Sequence, residues 1–313
     1  MFFLTFANVW SFAYFFFFSY MSFLVIFVIY TLPALTQHTK YSLGSKRSVS
    51  DIVSGLDVTY VVCLPYLLFL ALNLLWSAPT FSAWFGHLYV SSLQSKISMF
   101  YIPYFMLILY VIFNSTYFTS REIYDYVATL VAFGYWLLLL FYVNSLFTTI
   151  FVIEVLSALI FLLLVTSTFS SAYFYRNLNL SYGHIFQHST PHTHLNSIIF
   201  FFWMSLIASL NLFLFLIILY TKLATMDWFL MEYVMIYIVN VGSFYDLAFV
   251  GTSWFVFMSS LFIKCGIAPF YLWKPTFFKG LPFPTLFFYI CFFLFLFIPI
   301  LYLFIKRVHG RII

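Results

Sequence analysis

Charge is what this sequence has least of. Of 313 residues only 7% are Asp, Glu, Lys or Arg, 13 basic and 8 acidic, where a soluble domain carries about a quarter. That scarcity excludes a soluble globular chain of this length. It also excludes a nucleic-acid-binding surface, because the net charge of +5 is spread through the polar breaks between apolar runs, where loops and lipid headgroups are its partners. Cysteine is nearly as scarce. Cys63, Cys265 and Cys291 are scattered through apolar segments without metal spacing, so neither a disulfide framework nor a zinc site is expected. No Gly-rich phosphate loop, catalytic triad or redox motif is present, which removes the common nucleotide-binding and hydrolytic classes.

What is abundant is apolar. Hydrophobic residues make up 65% of the chain, with 47 Phe and 25 Tyr. A helical membrane protein follows. Phe, Tyr, Ile and Leu can be spelled with A/T-rich codons and Gly, Ala, Pro and Arg cannot, a bias that suits an organellar gene.

About 20 apolar residues cross a bilayer core as a helix, and eight such spans can be traced. They cover residues 3–34, 58–76 (with Pro65), 97–114, 121–143, 146–167, 197–221, a seventh from about Asp246 through Lys264, and 284–305. The first run lacks a basic leader and a small-residue cleavage site, so no cleaved signal is expected. Residues 35–57, 77–96 and 168–196 read as polar or interfacial loops, and Asn144-Ser145 as a brief interruption. Residues 222–244, broken by Asp227 and Glu232, read as an amphipathic interfacial segment rather than a span. The expected fold is all-α and polytopic, with three leading spans in residues 1–120 and five in 121–313. Eight spans put both termini on one side. The odd-numbered loops carry seven basic residues against five in the even loops and tail, which favours the odd loops on the positive-retaining side.

Two charges lie inside spans. Lys264 sits in a long apolar segment, and Pro269 follows five residues later. An intramembrane lysine costs roughly 2.5–3.5 kcal/mol on insertion scales, and Pro269 removes a helical hydrogen bond, so the seventh helix should break just beyond Lys264. Glu154, in Phe151-Val-Ile-Glu154-Val-Leu156-Ser157, lies in mid-helix. Each has a purely structural reading: a protonated carboxyl bonded to Ser157, or a lysine that snorkels or pairs for packing. Opposite charges on two spans, beside a helix break, are also how membrane proteins build proton and ion sites. Each offsets part of the other's desolvation cost. A change in their separation would change how firmly the lysine holds its proton, which is the property of a relay.

His184, His188, His192 and His194 have spacing that would suit a metal on a helix. Gly183, Ser189, Thr190 and Pro191 instead favour a loop, with no Cys or carboxylate close by, so no metal is expected there. Histidines inside the spans, as a bis-histidine haem would need, are absent.

With those residues in view, the chain resembles a family: chain 2 of respiratory complex I, the NADH:ubiquinone oxidoreductase, an antiporter-like membrane subunit. Lys264-Cys-Gly-Ile-Ala-Pro269-Phe270-Tyr-Leu-Trp273-Lys-Pro275, followed by Gly280-Leu-Pro282, resembles the family's Lys-x-Gly-x-Ala-Pro-Phe-His-x-Trp-x-Pro and Gly-x-Pro stretch. Glu154-Val-Leu-Ser157 resembles its fifth-helix Glu-Leu-Leu-Ser. Weaker echoes are Phe85-Gly86-His-Leu88-Tyr89 and Glu122-Ile-Tyr124. The resemblance spans roughly residues 80–305. It implies two inverted five-helix repeats after three leading helices, each repeat with a broken helix, of which this chain holds the first, its seventh helix discontinuous. It implies proton translocation coupled to NADH oxidation by ubiquinone, with Glu154 and Lys264 on the proton pathway, the helix break at Pro269, and a multi-pass place in the mitochondrial inner membrane. NADH, FMN, iron–sulfur clusters and ubiquinone are expected in other subunits, with no redox site or cofactor in this chain. The implied partners are the other membrane-arm subunits, lipid (cardiolipin among the candidates), and a separate polypeptide, the other half of a split chain 2, supplying the second repeat.

Three departures stand out. The family's His after Pro-Phe is Tyr271, the place of its eighth-helix lysine falls near Phe293-Leu294-Phe295, and the second repeat is missing. Two other readings therefore stay open: a cation/proton antiporter subunit of the Mrp type, and a non-pumping scaffold of the complex.

Overall fold

The computed structural model describes residues 67, 81–83, 86–90, 92–115, 123–178, 191–281 and 285–291. The first expected span, all of the second but residue 67, His184 and His188, and most of the eighth span lie outside these residues. The described part is mostly helical. Strands β1 (Phe81–Ala83) and β2 (Leu88–Val90) form an antiparallel hairpin, followed by α1 (Ser92–Ser115), α2 (Ile123–Tyr142), α3 (Leu146–Leu178), α4 (Pro191–Leu223), α5 (Trp228–Val241), α6 (Phe244–Cys265) and the short α7 (Trp273–Lys279). Residues 285–291 are again helical. Two helices are long and apolar enough to cross a membrane, Leu146–Ser167 within α3 and His194–Leu223 within α4. Lys96–Ile112 and Ala128–Tyr142 are shorter apolar helices.

The chain divides into two units, which share α3. In the first, α1 packs on α2 through Tyr101, Phe105, Ile108 and Leu109 on one side and Leu130, Phe133, Leu137 and Phe141 on the other, all buried. The Tyr101 and Phe141 rings are 5.6 Å apart. Gly134 makes this approach possible, because a Cβ there would come within 2.2 Å of the Phe105 ring. Gly134→Ala should therefore destabilise the α1–α2 pair by about 1–3 kcal/mol, the range for overpacking, and Phe105→Leu in the same background should recover part of the loss, both read as thermal midpoints in mild detergent. Within the expected interfacial loop 77–96, the described residues form the hairpin, with Gly86 at φ +89° in a turn, and the first residues of α1.

In the second unit α4 is the central helix. Ala208, Leu212, Phe215 and Leu219 are buried at intervals of three and four, one face of a helix, against Ser253, Phe257, Ser260 and Leu261 of α6. Phe215 meets Phe257 at 4.7 Å and Trp254 at 5.5 Å between ring centroids. The opposite face carries Trp203, Leu210, Phe213 and Ile217, all exposed. A helix that is apolar all round suits hydrocarbon, not water.

Several boundaries differ from the expected ones. The region 168–196 is not one loop: α3 continues to Leu178 and α4 begins at Pro191. Ser and Thr do not stop α3, because Thr166 and Ser167 donate their hydroxyls to the carbonyls of Leu162, Leu163 and Leu164, a bond that keeps such residues compatible with a helix. Pro191 occupies the first helical position, where its missing N–H costs nothing. His192 and His194 are consequently helical rather than looped. Where 222–244 was expected to lie in the interface, α5 has 14 residues, about 21 Å of helix, against about 30 Å of hydrocarbon core. The next helix starts with a capping box. Ser243 accepts from the Asp246 N–H, and Asp246 accepts from the Ser243 N–H and hydroxyl, satisfying donors that a helix start leaves open.

Candidate functional site

Glu154 is held in the third turn of α3, in a run whose other side chains from Leu146 to Leu164 are apolar or hydroxylic. One turn later the Ser157 hydroxyl donates to the Glu154 carbonyl at 2.7 Å and lies 3.4 Å from carboxylate oxygen Oε2. The other oxygen, Oε1, accepts from Lys264 Nζ at 2.5 Å. The two partners are 110 residues apart in sequence. Their side chains are 9% (Lys264) and 22% (Glu154) exposed, so this is a charge-assisted hydrogen bond inside the protein.

Lys264 stands in the last turn of α6. There the ammonium gains from the negative end of the helix dipole as well as from the carboxylate. The helix ends immediately afterwards. Gly266 adopts the left-handed conformation (φ 56°, ψ 48°), its N–H donates to the Ile263 carbonyl, and the Ile267 N–H donates to the Phe262 carbonyl, the pattern of a glycine-terminated helix. The chain passes through Pro269 without helix and resumes at Trp273 as α7. The break expected beyond Lys264 is present, and its first residue is Gly266, three residues ahead of Pro269. The Lys274 stem crosses directly over Gly266, where a Cβ would come within 2.8 Å of its Cγ and Cε.

Beside Glu154 lies an open, mostly apolar cleft of about 270 Å³. From α3 it is lined by Glu154, Ser157, Ala158 and Phe161, and from α4 by Phe201, Phe202, Ser205, Leu206 and Ser209. Glu154 therefore has one oxygen on the lysine, while its side chain borders this cleft. A carboxyl so placed can exchange a proton with the lysine it pairs with.

Around α7 the walls are aromatic. Phe201 stacks on Phe277 at 5.5 Å and meets Trp273 at 6.3 Å, and Phe277 meets Tyr289 at 5.0 Å. His194 is buried, with Nδ1 2.6 Å from the Gly280 carbonyl. Among the described residues no group of three His, Cys, Asp or Glu is placed to hold a metal.

Glu154 and Lys264, both singled out from the sequence, are thus brought together, and Pro269 lies in the break that follows. In the sequence alone nothing assigns a role to Ser205, Ser209, His194 or Gly266. For Gly266 a signal existed, a glycine directly after an apolar helical run. For His194 there was none, since its partner is 86 residues away. No family model matches the chain, and no curated protein matches it at a significant level.

Proposed function

We propose that this chain is an antiporter-like membrane subunit of respiratory complex I, in which Glu154 and Lys264 form a proton-transfer pair. The observation that carries this reading is the 2.5 Å contact between Lys264 Nζ and Glu154 Oε1, buried, next to a helix break and bordering a cavity. It joins the two segments whose sequences most resemble the chain 2 family. Under this proposal α6, the break and α7 are a discontinuous helix of a multi-pass chain in the mitochondrial inner membrane, and the redox cofactors and ubiquinone belong to other subunits. The chain's own part is acid–base. The Glu154 carboxyl exchanges a proton with the lysine, the charge on that carboxyl sets how firmly Lys264 holds its own proton, and the break gives the lysine end room to move.

Glu154→Gln in the intact assembly tests this. The amide keeps the size and a hydrogen-bonding oxygen but cannot take up a proton. The transfer step should slow by about 10²-fold or more, the usual worth of a general acid or base, so that protons translocated per NADH oxidised fall while the NADH:quinone electron flux in uncoupled membranes persists. An unchanged proton yield in a fully assembled complex would sink the proposal.

A further inference from the structure

We propose that His194 is a positioning residue for Lys264: its imidazole latches the segment that follows the lysine onto α4, the helix that also walls the Glu154 cavity. This inference rests on the reading of Glu154 and Lys264 as a proton-transfer pair.

The segment from Gly266 to Gly280 has little to hold it in place by itself. It contains a turn, a non-helical stretch and the seven residues of α7, two turns, too few for a helix to be stable alone. Its position must come from tertiary contacts, and α4 supplies them. At the far end of α7 the Gly280 N–H donates back to the Phe277 carbonyl, while the Gly280 carbonyl, buried, has His194 Nδ1 at 2.6 Å. Two turns further along α4, Phe201 stacks on Phe277 and meets Trp273. Residues seven apart share a helix face, so one face of α4 holds α7 at both points, and Phe201 also lines the cavity of Glu154. At its near end the segment is tied to Lys264 through Gly266, over which the Lys274 stem is packed. A displacement of α7 from α4 is therefore felt at the lysine.

The chemistry of the latch is specific to one nitrogen. A carbonyl only accepts, so Nδ1 must carry the hydrogen. Nε2 is buried and has no hydrogen-bond partner among the described residues, so it takes no part in the latch. Asparagine places an amide N–H where histidine has Nδ1, and it has nothing at Nε2. Asparagine should consequently replace His194, and leucine should not.

The native thiol next to the lysine reports the outcome. Cys265 is fully buried. In the intact assembly, with Cys63→Ser and Cys291→Ser as background, the rate of Cys265 modification by N-ethylmaleimide measures how often the segment leaves α4. His194→Leu should raise that rate roughly tenfold, as expected for leaving a buried carbonyl unsatisfied, and should lower protons translocated per NADH. His194→Asn should keep both near the parent values. Should His194→Leu fail to assemble, His194→Gln, whose amide sits one bond farther out, provides the same contrast with asparagine. Equal Cys265 protection in the parent and in His194→Leu (or His194→Gln) overturns the latch. So does a loss in His194→Asn as large as in His194→Leu, since it would put the role on Nε2. Exposure of Cys265 with unchanged proton translocation leaves the latch standing and removes the proton-transfer reading it serves.

Discussion

Lys264→Leu is expected to be among the most destabilising single changes in this chain, and adding Glu154→Leu to it should restore most of the stability and none of the proton translocation. Removing one partner of a buried ion pair leaves the other charge unmatched, at a cost of about 3–5 kcal/mol, whereas replacing both with apolar residues of similar volume is often neutral or better. The geometry fits that case. Lys264 Nζ and Glu154 Oε1 are 2.5 Å apart with side chains 9% and 22% exposed, and the medium around α3 and α4 is apolar on the strength of their outward residues. Thermal midpoints of the assembled protein in mild detergent would order the variants as parent, double, then single. A double variant as unstable as Lys264→Leu would mean that the two groups do not depend on each other. A stable double variant that still translocates protons would favour a scaffold without pumping.

How much of this was legible in the sequence depended on whether the signal was local. The interruption at Asn144-Ser145 was, because a polar pair between two apolar runs has few alternatives; Ser145 accepts from the Thr148 N–H at the start of α3, and the Leu146 N–H donates to the distant Met226 carbonyl. The intramembrane charges were legible for the same reason: a lone Glu and a lone Lys in apolar runs are costly, and each made the other intelligible before any distance was known. The end of α3 and the start of α4 were not. Ser, Thr and Pro read as loop formers, yet Thr166 and Ser167 bond their own helix and Pro191 begins the next. That misreading also put His192 and His194 in a loop, as part of a four-histidine set, when His194 belongs to the buried face of α4.

The rest of the site was hidden because it is tertiary. No periodicity in α4 distinguishes Ser205 and Ser209 from other small polar residues that soften an apolar helix; the cavity beside Glu154 exists only because α3 and α4 stand where they do. Likewise Phe201 is one of 47 phenylalanines, and only the position of α7 makes it a stacking partner for Phe277 and Trp273. In so aromatic a chain, residue type carries little information about contact, and polar atoms that find partners across long sequence separations, such as Glu154 with Lys264 and His194 with Gly280, carry more of it.

The hinge between Lys264 and α7 should respond sharply to a single methyl group. Gly266→Ala faces two separate costs. Its φ of +56° is a left-handed conformation that costs an L-residue about 1–2 kcal/mol. Its new Cβ would also come within 2.8 Å of the Lys274 side chain, so that stem must move. The first cost is intrinsic to the backbone, and the second can be relieved. Gly266→Ala should therefore lower the thermal midpoint of the assembly and speed maleimide modification of Cys265. Gly266→Ala with Lys274→Ala should recover the overlap cost while keeping the conformational one, landing between the parent and the single variant. Gly266→Asn, which tolerates the left-handed region better, should be milder than a β-branched Gly266→Val, for which the region is a true outlier. If all of these variants match the parent in both measurements, Gly266 does not terminate α6 in the working protein, and the break that frees Lys264 from a continuous helix would have to begin at Pro269 instead.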